Sequence, residues 1–448
     1  MRLFRRIHEK LGDFWWYSLM LFLACRAADV LNAFVGLWLV PKYVDPSELG
    51  AVMPLTNFAN FLALPAAAFA NTFRNELTRL SVNREFGKLR TLMRGVFVAT
   101  AIFLFIAIVV ARFTLPMFLE RIRVVEGALG MLIIAASFVS AVCPVYSNAL
   151  QALKKFKGFS LINVVGAPVR LLAMLAFMPF RALSGYFIGQ AAMPAFTIGA
   201  SVLCLRRELS VPPAPYWTRS VVKKFATLFA IFVASGAASG FVGLVESTII
   251  RQRLPELESA GYYMATRFSE IATYLYGALV FAFFPFAAEV ADDAGARARL
   301  IIKSSIANIA FCGLLAAVFC VIGKPVMELL PHGDQYSRYW WAIPWLTALA
   351  GLSSHYGFYT TAEMAAGRFG FMRWVIPLDL AYPVLMLAVT GHGYFTGIIP
   401  ESWTRFLASH NIHSLEAMLW WMTAITMVKA IASVAAMTTH ADTVKGKA

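Results

Sequence analysis

The sequence predicts an all-α polytopic membrane protein: twelve transmembrane helices in two pseudo-symmetric six-helix bundles around a central cavity. Three observations predict it. Of 448 residues, 60% are hydrophobic and only 14% charged, where a soluble chain carries about 25% charged residues; the mean hydropathy is +0.68. Apolar runs long enough for a helix to cross a hydrocarbon core, about 20 residues at ~1.5 Å each, recur along nearly the whole chain. The order of features between residues 16 and 94 also returns after residue 225.

That repeat runs as an apolar span, a tight loop, a second span and a basic tail. In the first half the loop is Pro41 to Gly50 and the tail holds Arg74, Arg79, Arg84, Lys88, Arg90 and Arg94. In the second half the loop is Leu254 to Gly261 and the tail holds Arg297, Arg299 and Lys303. Gly50 to Gly261 is an offset of 211, Phe58 to Phe268 of 210, and Arg94 to Lys303 of 209. A lag this steady marks an internal repeat of half the chain.

Taken in order, the spans are 16–40, 50–73, 94–113, 127–150, 160–180, 184–205, 225–250, 261–287, 304–323, 339–364, 372–391 and 415–438. The first begins after Arg2, Arg5 and Arg6 and runs on past Cys25 to Val40. It is too long for a signal peptide and reads as a membrane helix. The fifth and sixth are parted only by a turn at Pro179-Phe180-Arg181, and the tenth contains Gly351 and His355. With the N-terminus in the cytoplasm, 25 Lys and Arg fall in inside segments and 10 in outside loops. That asymmetry fits twelve spans with both ends inside. Six spans per repeat give two bundles of like orientation, residues 1–205 and 225–448. Residues 206–224, with Pro212, Pro213 and Pro215, form a semi-rigid cytoplasmic linker.

The formal net charge is +15, but the cations sit in short loops between spans. Lipid headgroups and topology account for them, and nucleic acid does not. The five cysteines all lie within apolar runs with no metal-type spacing and read as packing residues. No metal site, nucleotide loop or nucleophile elbow is present in the sequence, and no cofactor is expected.

Charges at bilayer depth cost several kcal/mol each and face a partner or a cavity. Arg26 and Asp29 stand at i and i+3, as do Arg267 and Glu270, so each pair shares a helix face. Arg170 lies in the fifth span, Glu246 in the seventh, Asp379 in the eleventh and Lys429 in the twelfth. On one reading each Arg–carboxylate pair neutralises itself and staples helices together. On the other, the first and eighth helices line a shared cavity that Arg170 and Lys429, without counter-charges, make basic. An anionic headgroup then fits, because a guanidinium fork matches phosphate oxygens. Asp29, Glu246, Glu270 and Asp379 are candidates for charge pairing or for H+ or Na+ coupling.

Lys42-Tyr43-Val44-Asp45-Pro46-Ser47-Glu48-Leu49-Gly50 resembles the loop after the first helix of the Wzx-type polysaccharide exporters, the O-antigen flippases of the multidrug/oligosaccharidyl-lipid/polysaccharide (MOP) exporter superfamily. The stretch from Ala260 to Phe268 is similar to the start of their eighth helix, and Asn148 to Phe156 to the end of their fourth. Arg267-x-x-Glu270 also resembles a motif of the related lipid II flippases. The resemblance implies a flippase, not an enzyme, that carries undecaprenyl-diphosphate-linked oligosaccharide across the inner membrane by alternating access for cell-surface polysaccharide synthesis. It further implies that Arg26, Arg170, Arg267 and Lys429 meet the substrate, and that the chain acts as a monomer among membrane lipids and polysaccharide-assembly proteins. Two alternatives stay open. One is a cation-coupled multidrug antiporter of the same fold. The other is a glycan polymerase or ligase built on the outside loop 391–414, with His410, His413, Arg405 and Glu401.

Overall fold

A bilayer offers no partner to a backbone amide, so the chain must satisfy its own, and helices do so within one segment. In the computed structural model, which describes residues 28–124, 127–153, 155–290, 293–366, 370–389 and 414–445, the ordered elements are helical throughout and the described residues form no strand. We label them α1 (residues 28–43), α2 (Val52–Val82), α3 (Phe86–Arg121), α4 (Gly127–Ala152), α5 and α6 (together Phe156–Cys204), α7 (Arg219–Arg253), α8 (Glu256–Glu289), α9 (Ala294–Glu328), α10 (Ala342–Ala365), α11 (Met372–Val389) and α12 (Leu415–Lys445). Each predicted span coincides with one of these helices over its described residues.

The helices outrun the spans because their ends are charged and leave the hydrocarbon. α3 has 36 residues, about 54 Å at the α-helical rise. Lys88, Arg90 and Arg94 lie at one end and Glu120 and Arg121 at the other. Between them Phe97, Ile102, Phe105, Ile106, Val109 and Val110 are 40–67% exposed, a surface that water would penalise and acyl chains do not. Among the described residues, five helical stretches are long and apolar enough to cross a membrane by length and composition. One of them, Lys157–Cys204, is two helices.

The break between those two falls where the sequence places it. Arg181 (φ −145°, ψ 34°) and Ala182 (φ 17°, ψ −103°) leave helical geometry, and the chain turns back on itself. An added Cβ on Gly185 would lie 2.5 Å from the Met178 backbone nitrogen. Gly189 lies against Met174, Gly166 against Met193 and Gly158 against the Cys204 sulfur. The paired numbers fall on one side as they rise on the other, so α5 and α6 are an antiparallel hairpin joined by small residues.

By contact the chain forms two compact units. The first comprises residues 1–35 and 55–240, and the second residues 36–54 and 241–448. The core of the first unit includes Phe73, Leu80, Leu89, Leu92, Val145, Leu150, Leu205, Tyr216 and Phe225, so it contains the linker and the start of α7. The linker is a docked strap. The Ala214 N–H donates to Gly87 O at 3.1 Å, Thr91 Oγ1 to Ala214 O at 2.7 Å and Arg90 Nη1 to Val211 O at 2.7 Å. Lys155 pairs with Glu208 at 2.8 Å. The Tyr216 hydroxyl donates to Glu76 Oε1 at 2.7 Å, and burial, then that carboxylate, push its pKa up.

In the second unit α10 packs against α8, α9 and α12. Its buried residues Thr347, Gly351, Ser354, Phe358 and Ala362 recur at helical spacing on one face. Gly351 is a point of close approach to Cys312 on α9, 2.7 Å from where its Cβ would stand. The helix therefore continues unbroken through Gly351. The loop before α2 belongs to this unit too. Asp45 caps the turn Pro46–Leu49, accepting from the Ser47 hydroxyl at 2.7 Å and from its N–H at 2.9 Å; those bonds, the hydroxyl's first, hold its carboxyl below the usual range. Gly50 then packs on Ser259 and Gly261 on Tyr339, so the two repeat-related glycines are both close contacts.

The hairpin gives a paired prediction. Gly185→Ala pushes a methyl into the Met178 backbone and costs about 1–3 kcal/mol, as overpacking does. Gly199→Ala on the same helix meets nothing within 4 Å and gains about 0.5–1 kcal/mol of helix propensity. Thermal unfolding of the purified protein should rank them Gly199→Ala, wild type, Gly185→Ala. Equal midpoints for the two variants would refute the close-packed hairpin.

Candidate functional site

The second unit holds a polar cluster inside its helices. Glu246 on α7 accepts two phenol hydrogen bonds, from Tyr262 of α8 to Oε1 and from Tyr382 of α11 to Oε2, both at 2.7 Å. One helical turn before Tyr382, the buried Asp379 takes the Lys429 ammonium of α12 at 2.7 Å. The ammonium also lies 5.2 Å from the Tyr382 ring centre and 5.7 Å from that of Tyr356 on α10, within the range of a cation–π contact. Five helices thus converge on two carboxylates, one ammonium and three phenols. Glu246, Tyr356, Tyr382 and Lys429 border a cavity of about 270 Å³ whose other walls are Val242, Leu346, Leu349, Ala350 and Met422 with two hydroxyl residues, Ser353 and Thr426.

Each group is there because its neighbours neutralise it. A buried ion pair holds when geometry and further hydrogen bonds repay the loss of water. Lys429 has Asp379 and two aromatic faces. Glu246 has two donors, which leaves lone pairs on both oxygens, because a carboxylate accepts at about four positions. Chemically the cluster offers carboxylate oxygens to a proton or a small cation, beside the Ser353 and Thr426 side chains that also line the cavity. Among the described residues, no three His, Cys, Asp or Glu side chains converge as metal ligands.

A second polar group lies on α8. Arg267 Nη1 donates to Glu270 Oε1 at 2.7 Å and Oε2 at 3.0 Å, one nitrogen reaching both oxygens where a fork-to-fork pair would use two. Tyr274 donates to Glu270 at 3.3 Å. The guanidinium lies 4.8 Å from the Tyr263 ring centre, and the Tyr263 hydroxyl donates to Gly36 O at 3.2 Å. Gly36 sits in a π-helical turn of α1, Val35–Leu39, and a Cβ there would stand 2.9 Å from Arg267 Cδ. Such turns are rare and gather at functional sites. Both side chains of the pair keep some exposure, 16% for Arg267 and 27% for Glu270.

The structure sorts the sequence candidates as follows. It brings Glu246, Asp379 and Lys429 together, and Arg267 with Glu270. Asp29 on α1 and Arg170 on α5 are half-buried and belong to the first unit. Arg26 lies outside the described residues, as do His410, His413, Arg405 and Glu401. The expectation that Lys429 lacks a counter-charge needs correcting. Lys429 is bonded to Asp379, 50 residues away in sequence, and Arg170 is not free either.

Sequence reasoning passed over three features. Tyr262, Tyr356 and Tyr382 carry no formal charge, though a tyrosine one turn from a buried acid is a signal. Arg297, read as part of a basic tail, is 5% exposed and pairs with Glu363 of α10 at 3.3 Å. Arg251, just past the seventh predicted span, is 1% exposed, 4.0 Å from Glu256.

No protein-family model matches the chain, and no curated protein does. Solved structures match over its whole length. An inward-facing multidrug resistance MATE family transporter of the MOP superfamily aligns with a TM-score of 0.66 at 12% identity, over 95% of this chain and 96% of its own. A Vibrio cholerae MATE transporter, VcmN, solved as a point mutant, aligns at 0.61 and 14% over 99% of each chain. A MOP superfamily transporter from Pyrococcus furiosus, described as having a binding pocket of reverse polarity that suggests a different function, aligns at 0.62 and 12% over 97% of each. The fold is therefore that of the MATE transporters, all-helical with twelve membrane helices in two bundles, as the sequence predicts. These neighbours are transporters, not enzymes.

The cluster makes a prediction of its own. Lys429→Met leaves Asp379 buried without a counter-ion and costs about 3–5 kcal/mol, whereas removing both charges together is often close to neutral. Unfolding midpoints should therefore fall sharply in Lys429→Met and largely recover in Lys429→Met with Asp379→Leu. Additive losses would mean the two side chains do not depend on each other.

Proposed function

We propose that the protein is a flippase that moves undecaprenyl-diphosphate-linked oligosaccharide from the inner to the outer leaflet of a bacterial inner membrane by alternating access. The observation that carries this reading is Arg267. It stands on α8 beside the π-helical turn of α1, partly exposed, and is tied to Glu270 through one nitrogen. A diphosphate supplies oxygens at the spacing of a guanidinium fork and competes with Glu270 for it. Arg26 and Arg170 are the further cations we assign to the substrate. Lys429, bound to Asp379, joins Glu246 and Asp379 as a coupling group for H+ or Na+. Supporting this are the +15 net charge held in short loops, the loop and helix motifs shared with polysaccharide exporters, and a fold that also serves a transporter described as having reversed pocket polarity. The chain is placed in the inner membrane with both termini cytoplasmic, acting as a monomer beside polysaccharide-assembly proteins.

A second reading, a cation-coupled multidrug antiporter, is favoured by one specific observation. Glu246 sits at a largely apolar cavity, with Ser353 and Thr426 in its walls and tyrosines as its bonded partners, an environment that suits a cationic drug or coupling ion, and neighbours of this fold are described as multidrug transporters.

Proteoliposomes separate the two. A fluorescent polyprenyl-diphosphate saccharide should cross to the far leaflet in vesicles holding the wild type. Arg267→Ala should slow it about ten- to a hundredfold, the loss of a charge-assisted contact worth about 1.5–3 kcal/mol, and Arg267→Lys should lose less. Ethidium uptake driven by a proton or sodium gradient, with no saccharide-lipid movement, would instead establish the antiporter.

A further inference from the structure

A cavity of about 700 Å³ opens in the first unit between the end of α3 and the start of α4. Its floor is apolar and buried: Ala111, Leu115, Leu119 and Val124 are at most 8% exposed. Gly130 brings α4 down onto that floor, since an added Cβ there would stand 2.8 Å from Leu115 Cδ2. The rim is charged. Arg112, Glu120 and Arg123 line the cavity, and all three are exposed. Arg112, Pro116 and Glu120 recur four residues apart, on one face of the helix. Two guanidinium groups and one carboxylate therefore share the groove, with positive charge in excess.

Arg112 stands at a depth where it needs a polar partner. The exposed hydrocarbon of α3 runs from Phe97 to Met117. Those 20 residues span about 30 Å, the thickness of a hydrocarbon core. Arg112 lies about 7.5 Å inside that edge, next to Phe113, which is 73% exposed. A guanidinium there is tolerated when its stem lets it reach polar groups at the interface. Arg123 is set beyond the same edge by the way α3 ends. The Val124 N–H donates to Leu119 O at 3.0 Å and the Arg123 N–H to Glu120 O at 3.1 Å, the paired bonds that close a helix around a left-handed residue. Glycine is the usual choice, because a Cβ is crowded in that conformation. Here the residue is Arg123, at φ 59°. The chain keeps a guanidinium at the mouth of the groove where helix termination alone favours glycine.

We propose that the groove binds an anionic phospholipid, with its phosphate between Arg112 and Arg123 and an acyl chain laid over Leu115 and Met131. A phosphodiester lies at the hydrocarbon edge and offers its oxygens to a guanidinium fork. The excess of positive charge selects the lipid. Phosphatidylglycerol brings one uncompensated negative charge, whereas the choline of a zwitterionic lipid cancels what its phosphate brings. Glu120 opposes any further negative charge and limits the site to one phosphate. On the proposed topology the site belongs to the outer leaflet, and it does not depend on which substrate is transported.

Native mass spectrometry of the whole protein, released from a neutral maltoside detergent, tests this with phosphatidylglycerol and phosphatidylcholine of identical chains. The first phosphatidylglycerol should bind about tenfold more tightly than phosphatidylcholine, the effect of one charge-assisted hydrogen bond. Arg112→Gln should remove that preference. Met131→Trp keeps every charge but fills the groove, and should weaken phosphatidylglycerol as much. Glu120→Gln should tighten it. All three positions are exposed, so the variants keep the fold. A wild-type preference that survives Arg112→Gln or Met131→Trp would place the lipid on loop cations elsewhere and overturn the site, as would weaker binding in Glu120→Gln.

Discussion

Every deep charge in this protein has to find its partner inside the protein, because the hydrocarbon around it offers none. The rest of the arrangement follows from how those partners are supplied. Lys429 depends on Asp379, Arg297 on Glu363, Arg267 on Glu270, and Glu246 on two tyrosines. Each bond ties one helix turn to another or one helix to its neighbour. Buried ionic pairs add little net stability compared with packed hydrocarbon, but they leave few alternatives for how α7, α8, α10, α11 and α12 associate. A register shift of one helix would strand a charge and cost several kcal/mol.

The close approaches do similar work without charge. Between helices in lipid there is no hydrophobic drive, so small residues that let backbones meet carry the packing. Gly185 and Gly189 join α5 to α6, Gly351 joins α10 to α9, and Gly50 seats its loop on α8. These contacts and the polar bonds lie side by side: Ser305 and His355 bridge α9 and α10 one turn from Gly351. The glycine brings the helices near enough for the hydroxyl and imidazole to meet.

Most of the fold was legible because a membrane helix announces itself locally. Apolar runs, flanking cations and the break after Pro179 need no long-range information, and the i, i+3 spacing already paired Arg267 with Glu270. The site was legible only in part. Lys429 and Asp379 lie in different helices, 50 residues apart, and nothing in a single sequence says which helices touch. Tyr262 and Tyr382 were missed because a search for charge passes over neutral donors. Arg297 was misread because α9 begins at Ala294, nearly three helical turns before the span predicted from residue 304, and its first turn sets that side chain against Glu363. The linker read as a strap from its prolines, but its docking rests on backbone carbonyls of residues 211 and 214, to which sequence is blind.

The bonded pairs also follow the contact units. The bonded pairs named above each fall within one contact unit: Glu76 and Tyr216 in the first, and Glu246, Tyr262, Tyr382, Asp379, Lys429, Arg267, Glu270, Arg297 and Glu363 in the second. Within each unit the desolvation cost of these pairs is settled at folding. Arg267 reaches both oxygens of Glu270 through one nitrogen, and its exposure of 16% matches the 17% of Lys429, which is boxed by two aromatic rings.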